Sequence, residues 1–395
     1  MEQWKEYKLG EVAIPVRDRI DTSVLDASSY ISTENMLPDK AGVTLSSGVP
    51  SGKAIQFKEG DILISNIRPY FKKIWRADKV GGCSADIICL RASKEVEPLF
   101  FYYLLSQDMF FNYVMQGAKG TKMPRGDRNQ IMQWPVLLPS KSEQQKIASI
   151  LSALDEKIEV NRRINDNLGQ QAQALFKSWF IDFDPFKDGE FEETEIGLIP
   201  KGWLAGSLED ITTQKAERVG DREDVKVLSP VTTGQLMLSE EYFTKQVFSE
   251  SIAKYKVVEI GDFAYNPARV NIGSLGRNNY DFDGCVSPVY VVFSCKNGYA
   301  HLFDLYRKTE KFKTEVNLRA IGGVRQSLNY KDFAFIQCIV PPLHVVKEFN
   351  ARYEHLLLMQ KHTKEENNRL ANLRDTLLPR LMSGELKVNE IENVI

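Results

Sequence analysis

From Glu143 onward, seam residues return at alternating spacings of four and three: Ile147, Leu151, Leu154, Ile158, Asn161, Asn165, Leu168, Ala172, Leu175 and Trp179. This is the seam of a coiled coil, and at 1.5 Å per residue it predicts a helix roughly 55 Å long. A second seam runs through Phe349, Tyr353, Leu356, Gln360, Thr363, Asn367, Leu370 and Leu377. A buried asparagine lowers stability but fixes register, because only one alignment gives its amide a partner. Asn161, Asn165 and Asn367 are therefore the expected register residues. Pro379 should stop or kink the second helix early.

Ahead of the first helix the pattern changes to short β-rich runs, 61–67 and 85–90, bounded by Gly, Pro and Asp. A helix from 98 to about 115 follows, with proline in its first turn. Its crowd of aromatics (Phe100, Phe101, Tyr102, Tyr103, Phe110, Phe111, Tyr113) could stack on bases, but helical spacing favours core packing.

The register of the whole chain repeats about 202 positions on. Pro139 meets Pro341, Asn165 meets Asn367, Leu168 meets Leu370 and Leu175 meets Leu377. Upstream, Phe110 meets Phe312, Val114 meets Val316, Gly120 meets Gly322 and Gly82-Cys83 meets Gly284-Cys285, while Gly60-Asp61 meets Gly261-Asp262 one residue out. The matches sit at seams and turns, as an old duplication of one half-protein would leave them. Duplicated halves joined through a like element associate about a two-fold axis, which makes the helices antiparallel and sends the globular units to opposite ends. The expected fold is α/β (α+β), with two pseudo-two-fold-related α/β domains separated by an intramolecular coiled coil. The expected divisions are 1–141 (first domain), 142–180 (first long helix), 181–200 (acidic linker), 201–343 (second domain), 344–383 (second long helix) and 384–395 (tail).

With 395 residues the chain has room for two cores. Five cysteines without metal-site spacing suit reduced thiols and a cytoplasmic protein, and no signal peptide or spanning run is evident. The formal charge of -2 argues against a nucleic-acid binder until it is resolved by segment. Residues 181–197 hold seven acids against one base, Lys187, so the rest of the chain is net basic.

Those bases gather in loops. Residues 66–76 set Arg68, Lys72, Lys73 and Arg76 among aromatics, and residues 116–130 add Lys119, Lys122, Arg125 and Arg128 beside Gly117, Gly120 and Gly126. Glycine-rich backbone with Lys and Arg suits phosphates, while Arg, Asn and Gln can read base edges. The second copy carries different polar residues at the corresponding places: Asn266, Arg269, Asn271 and Arg277, then Arg319, Arg325 and Gln326. One scaffold with two different surfaces suits two readers of different DNA sequence.

Catalytic patterns fail. In 48–54 the glycines stand too close for a phosphate loop, and Ala54 lacks the hydroxyl that holds magnesium. Tyr265-Asn266-Pro267 resembles an adenine-methyltransferase motif, but Ala268 and Arg269 replace its last two residues and no glycine-rich cofactor loop precedes it. The four histidines form no metal or triad pattern, and His355 and His362 read as surface residues.

Taken together, Pro139, Glu143, Gln144 and Ile147, then Leu154-Asp155, Ile158 and Asn161, then Leu175-Phe176 and Trp179-Phe180 make the chain resemble the specificity (S) subunit of type I restriction-modification enzymes over essentially its full length. Tyr30 to Met36 and Gly60 to Pro69 are similar to that family's target-recognition domains, whereas Leu343-His344-Val345-Val346 departs from the Glu-Gln expected at the second helix. The resemblance implies a non-catalytic subunit that reads an asymmetric bipartite site in double-stranded DNA. It also implies assembly with two methyltransferase subunits and with restriction subunits. S-adenosylmethionine, ATP and magnesium would act on those partners, with no cofactor on this chain. The alternatives are a single-chain DNA methyltransferase or nuclease with duplicated domains, and a coiled-coil scaffold.

Overall fold

The computed structural model describes residues 4–243, 249, 251–320 and 327–392. The chain divides into two compact units, Met1–Arg163 with Thr363–Ile395, and Ile164–His362.

In the first unit a four-stranded antiparallel sheet runs Ala13–Pro15, Ile87–Ala92, Ile62–Ser65, Ile74–Arg76 in spatial order. Successive side chains of a strand point to opposite faces, and both faces of this sheet are covered. Ile62, Ile64, Ile88 and Leu90 pack with the helices, while Leu63, Ile87 and Cys89 pack with a second sheet. The strand Ile62–Ser65 therefore opens on three apolar residues in a row rather than alternating. The second sheet orders Arg19–Asp21, Lys53–Phe57, Gly81–Cys83 and Tyr30–Ile31. Its Gly82 has no room for a side chain, since a Cβ would stand 2.5 Å from Leu25 and 2.9 Å from Ala54. The expected single helix over 98–115 is two, Pro98–Leu105 and Asp108–Gln116. Ser106 Oγ donates to the Tyr102 carbonyl and Gln107 Nε2 to that of Leu104, ending the first helix, and the second restarts on Asp108.

The second unit repeats the plan. One sheet orders Thr212–Lys215, Val291–Cys295, Phe263–Tyr265 and Leu275–Arg277. The other orders Leu236–Leu238, Lys226–Pro230, Gly284–Val286 and Lys256–Val258. Here the strand equivalent to Arg19–Asp21 is reduced to an isolated bridge, Arg218 with Lys256, and Leu236–Leu238 is added at the opposite edge. Gly284 excludes a side chain as Gly82 does, with Leu228 Cδ1 at 2.3 Å from a Cβ. The acidic segment is more than a linker: Phe191–Thr194 and Gly197–Pro200 form a hairpin, and Phe183 and Ile199 are buried in this unit's core.

Two 40-residue helices, Lys141–Phe180 and Leu343–Met382, each span about 60 Å. They pair antiparallel within each unit. In the first unit Asp155 binds Arg374 and Asn161 binds Asn367; in the second, Gln360 Nε2 donates to the Asn165 carbonyl and Trp179 lies 5.9 Å from Phe349. Pro379 does not end its helix, which continues to Met382. Leu378, Leu381 and Met382 are buried in the first unit's core around an exposed proline ring, and that packing offsets the lost backbone bond.

Candidate nucleic-acid interface

Each unit carries the same loop after one strand of its first sheet, Ile62–Ser65 in the first and Phe263–Tyr265 in the second. In the first, Pro69–Phe71 makes a single 3-10 turn closed by Lys72 at φ 50°; in the second, Val270–Ile272 makes the same turn closed by Gly273 at φ 96°. An exposed arginine precedes each turn, Arg68 and Arg269. Neither makes an ion pair with the described residues.

The two basic loops of the first half, about fifty residues apart, meet here. Arg68 N donates to the Pro124 carbonyl at 2.8 Å and Gly126 N to that of Asn66 at 3.3 Å, with Ile67 and Arg125 bridged. Gly126 admits no Cβ, which would lie 2.9 Å from Asn66 Oδ1. The equivalent bond recurs in the second unit, where Leu328 N donates to the Pro267 carbonyl at 3.1 Å. The candidate surface of each unit thus joins two chain segments through backbone bonds.

The structure sorts the sequence-derived residues. Arg68 and Lys122 stand exposed and unpaired among the described residues. Lys119 is 84 % exposed, 3.4 Å from Asp127, and Arg125 is 57 % exposed, 3.2 Å from Asp86. Lys72, Lys73 and Arg128 are tied to neighbouring groups of the protein. Lys72 Nζ lies 2.8 Å from Asp108, which also holds Lys40 at 3.2 Å. Lys73 Nζ donates to the Thr33 carbonyl at 2.7 Å, and its burial, then the charge of Arg68, lowers its pKa. Arg76 is half-buried and Arg128 Nη2 donates to the Ala85 carbonyl at 2.6 Å.

In the second unit Asn266 Oδ1 accepts from Ala268 N at 3.0 Å, shaping the loop before the exposed Arg269, and Asn271 is half-buried. Arg277 is enclosed: Nε donates to the Gly261 carbonyl, Nη1 lies 3.1 Å from His301 Nδ1, and the guanidinium covers the Phe263 ring. Arg319 pairs with Glu315 and reaches the Phe335 carbonyl. Arg325 and Gln326 lie outside the described residues. Sequence reasoning missed the acids, Asp86 and Asp108, that hold neighbouring cations; neither lies in a charge run.

The motif residues are mostly structural. Asn35 is buried, donates to the carbonyls of Tyr30 and Thr44, and accepts from Ser32 N. Gln144 is buried at the start of the first long helix, donating to the carbonyls of Glu95 and Pro139 and accepting from Glu97 N. Its counterpart Val346 lies in an apolar core, so the second helix needs no Glu-Gln start. Asn161 Nδ2 donates to Glu366 at 2.7 Å and to Asn367 Oδ1 at 2.9 Å, and Asn367 Nδ2 returns a bond to the Ile158 carbonyl. Tyr265 is a fully buried core residue stacked on Phe333. Among the described residues no cluster of His, Cys, Asp or Glu could hold a metal, and no helix is long and apolar enough to cross a membrane. All five cysteines are free.

Residues 1–170 match the family model described as type I restriction modification DNA specificity domain. The HindI specificity subunit of Haemophilus influenzae is 23% identical, covering 98% of this chain and 100% of its own. The MjaIX specificity subunit of Methanocaldococcus jannaschii is 27% identical over 74% of this chain and 70% of its own. The fold is that of the S subunit from M. genitalium, with a TM-score of 0.55 at 16% identity over 96% of each chain. A chain from a structural study of type I R-M complex assembly and conformational transition gives 0.50 at 17%, covering 98% of this chain and 99% of that one. Residues 1–170 thus match a specificity domain, and over nearly its full length the chain is similar to the specificity subunits of type I restriction enzymes.

Proposed function

We propose that this chain is the DNA-recognition subunit of a type I restriction-modification complex, reading an asymmetric bipartite target through two domains held apart by a helical spacer. The observation that carries the reading is the pair Arg68 and Arg269, exposed at equivalent places on two copies of one loop whose surroundings differ. Arginine is the commonest specific reader of guanine edges, and different neighbours on a shared scaffold give different half-sites. Arg68, Lys119, Lys122 and Arg125 form the first reading surface; Arg269 and Asn271 belong to the second.

On this reading the chain recognises DNA and performs no chemistry. Two methyltransferase subunits supply S-adenosylmethionine chemistry on adenine, and restriction subunits use ATP and magnesium. The test is to map methylated adenines genome-wide with complexes carrying Arg68→Ala or Arg269→Ala. Loss of a bidentate base contact costs about 1 to 3 kcal/mol of discrimination, so each variant should relax one half of the site and leave the other intact. Both halves relaxing together, or neither, would overturn the assignment.

A further inference from the structure

Six non-glycine residues of the described chain have positive φ, and four of them, Asp39, Lys40, Arg68 and Lys72, converge on the first reading loop. Non-glycine residues in this region carry strain that persists only where the surroundings hold them. The holding contacts are visible. Asp39 N donates to the Phe71 carbonyl at 2.9 Å and Lys40 N to that of Lys72 at 3.1 Å, so loop 38–43 clamps the turn that carries Arg68. The ammonium groups of Lys40 and Lys72 then meet on one carboxylate, Asp108 Oδ1 and Oδ2, at 3.2 and 2.8 Å.

Asp108 opens the helix Asp108–Gln116, where a negative charge is favoured by the helix dipole. Burial works against its ionisation, but the bonds from Lys72 and Lys40 outweigh that and hold the carboxyl below its ordinary range. Among its described residues the second unit shows no such device. The equivalent acid, Glu310, pairs with Lys313 on its own helix, and its turn closes on Gly273, which adopts positive φ without strain.

We propose that Asp108 is a positioning residue for the first half-site: it pins Lys40 and Lys72, thereby fixing the turn that presents Arg68 and withdrawing two cations from the DNA face. This rests on the reading of loop 66–73 as a DNA contact. Free lysines beside a reading arginine would bind phosphates of any sequence; pinned lysines leave discrimination to Arg68.

The experiment uses the full complex with its methyltransferase subunits, carrying Asp108→Asn, with Arg68→Ala alongside. Binding is measured on cognate duplexes, on duplexes mismatched in one half-site, and on unrelated duplexes across a salt series. Asp108→Asn should lower discrimination at the first half-site about tenfold, raise affinity for unrelated DNA, and steepen the salt slope by about one to two units as the freed lysines displace counterions. The second half-site should be unchanged. The double variant Lys40→Gln/Lys72→Gln loosens the turn without freeing charge, so discrimination should fall while the salt slope does not steepen. If Arg68→Ala leaves the first half-site intact, the loop is not the interface. If Arg68→Ala relaxes it while Asp108→Asn keeps discrimination, or weakens all binding equally at an unchanged slope, the pin is overturned.

Discussion

Arg269 and Arg277 lie eight residues apart in the chain, yet one faces solvent in a loop and the other ends a strand and is built into the second unit. What separates them is His301, whose Nδ1 receives the Arg277 guanidinium. Burial first, then the charge of Arg277, lowers the imidazole pKa below 6.5. The folded value therefore lies under the unfolded one, so the neutral ring stabilises the fold above about pH 6.5, and that contribution is lost as pH falls through the folded value. Between pH 7 and 5 the urea midpoint of the wild type should fall more than that of His301→Gln, which keeps an acceptor without titrating; parallel curves would remove His301 from the account. Gly82 makes a second residue-scale case. Replacing it with alanine forces a methyl against Leu25 and Ala54 and should cost about 1 to 3 kcal/mol, read by denaturant unfolding. The Gly-Cys repeat signalled that position. Nothing in the sequence distinguished Arg269 from Arg277, because the difference is made by a histidine brought in from a distant helix.

At the scale of elements, the two copies solve one junction in two chemistries. In the first unit Tyr103 donates to Asp155 at 2.7 Å and Arg374 binds the same carboxylate at 2.6 Å, joining the domain to both long helices. The equivalent residues in the second unit are Leu305, Leu357 and Ala172, packed in an apolar core. Removing one partner of a largely enclosed ion pair leaves the other uncompensated, whereas replacing the group with apolar residues is often neutral. Asp155→Ala should therefore lose about 1 to 3 kcal/mol after discounting for its partial exposure. The triple variant Tyr103→Leu/Asp155→Leu/Arg374→Ala should recover most of it. Unfolding curves decide, and a triple variant no more stable than the single would show that the junctions are not interchangeable. The seam was legible because heptad spacing leaves Ile147, Leu151, Ile158, Leu168, Ala172 and Trp179 buried. The helix break at Ser106 and the passage through Pro379 were not, since both turn on tertiary packing that local propensity cannot register.

For the molecule as a whole, duplication told more than composition. A net charge of -2 concealed two basic loops that only folding brings side by side. The second domain is closed by its own ladder, Leu204–Ser207 against Gln337–Val340, just inside residues 201 and 343. Exchanging 201–343 for the corresponding part of another specificity subunit should accordingly change one half of the methylated site; a change in both halves would mean that the domains read jointly.

The unit boundaries also fall inside the long helices, so the first unit is completed by Thr363–Ile395, which follows the whole second unit in the chain. Leu378, Leu381, Met382 and Val388 lie in the same core as Ile62, Phe100 and Leu151. A chain ending at His362 keeps every strand of its first domain yet leaves that core open, and limited proteolysis should cut it readily where the full chain resists. During synthesis, then, the first reader cannot settle until the ribosome has finished the second. On the proposed reading, interrupted translation yields a substrate for proteases in place of a half-competent reader, and a complex that marks DNA by this protein's judgement is spared one that recognises only half a word.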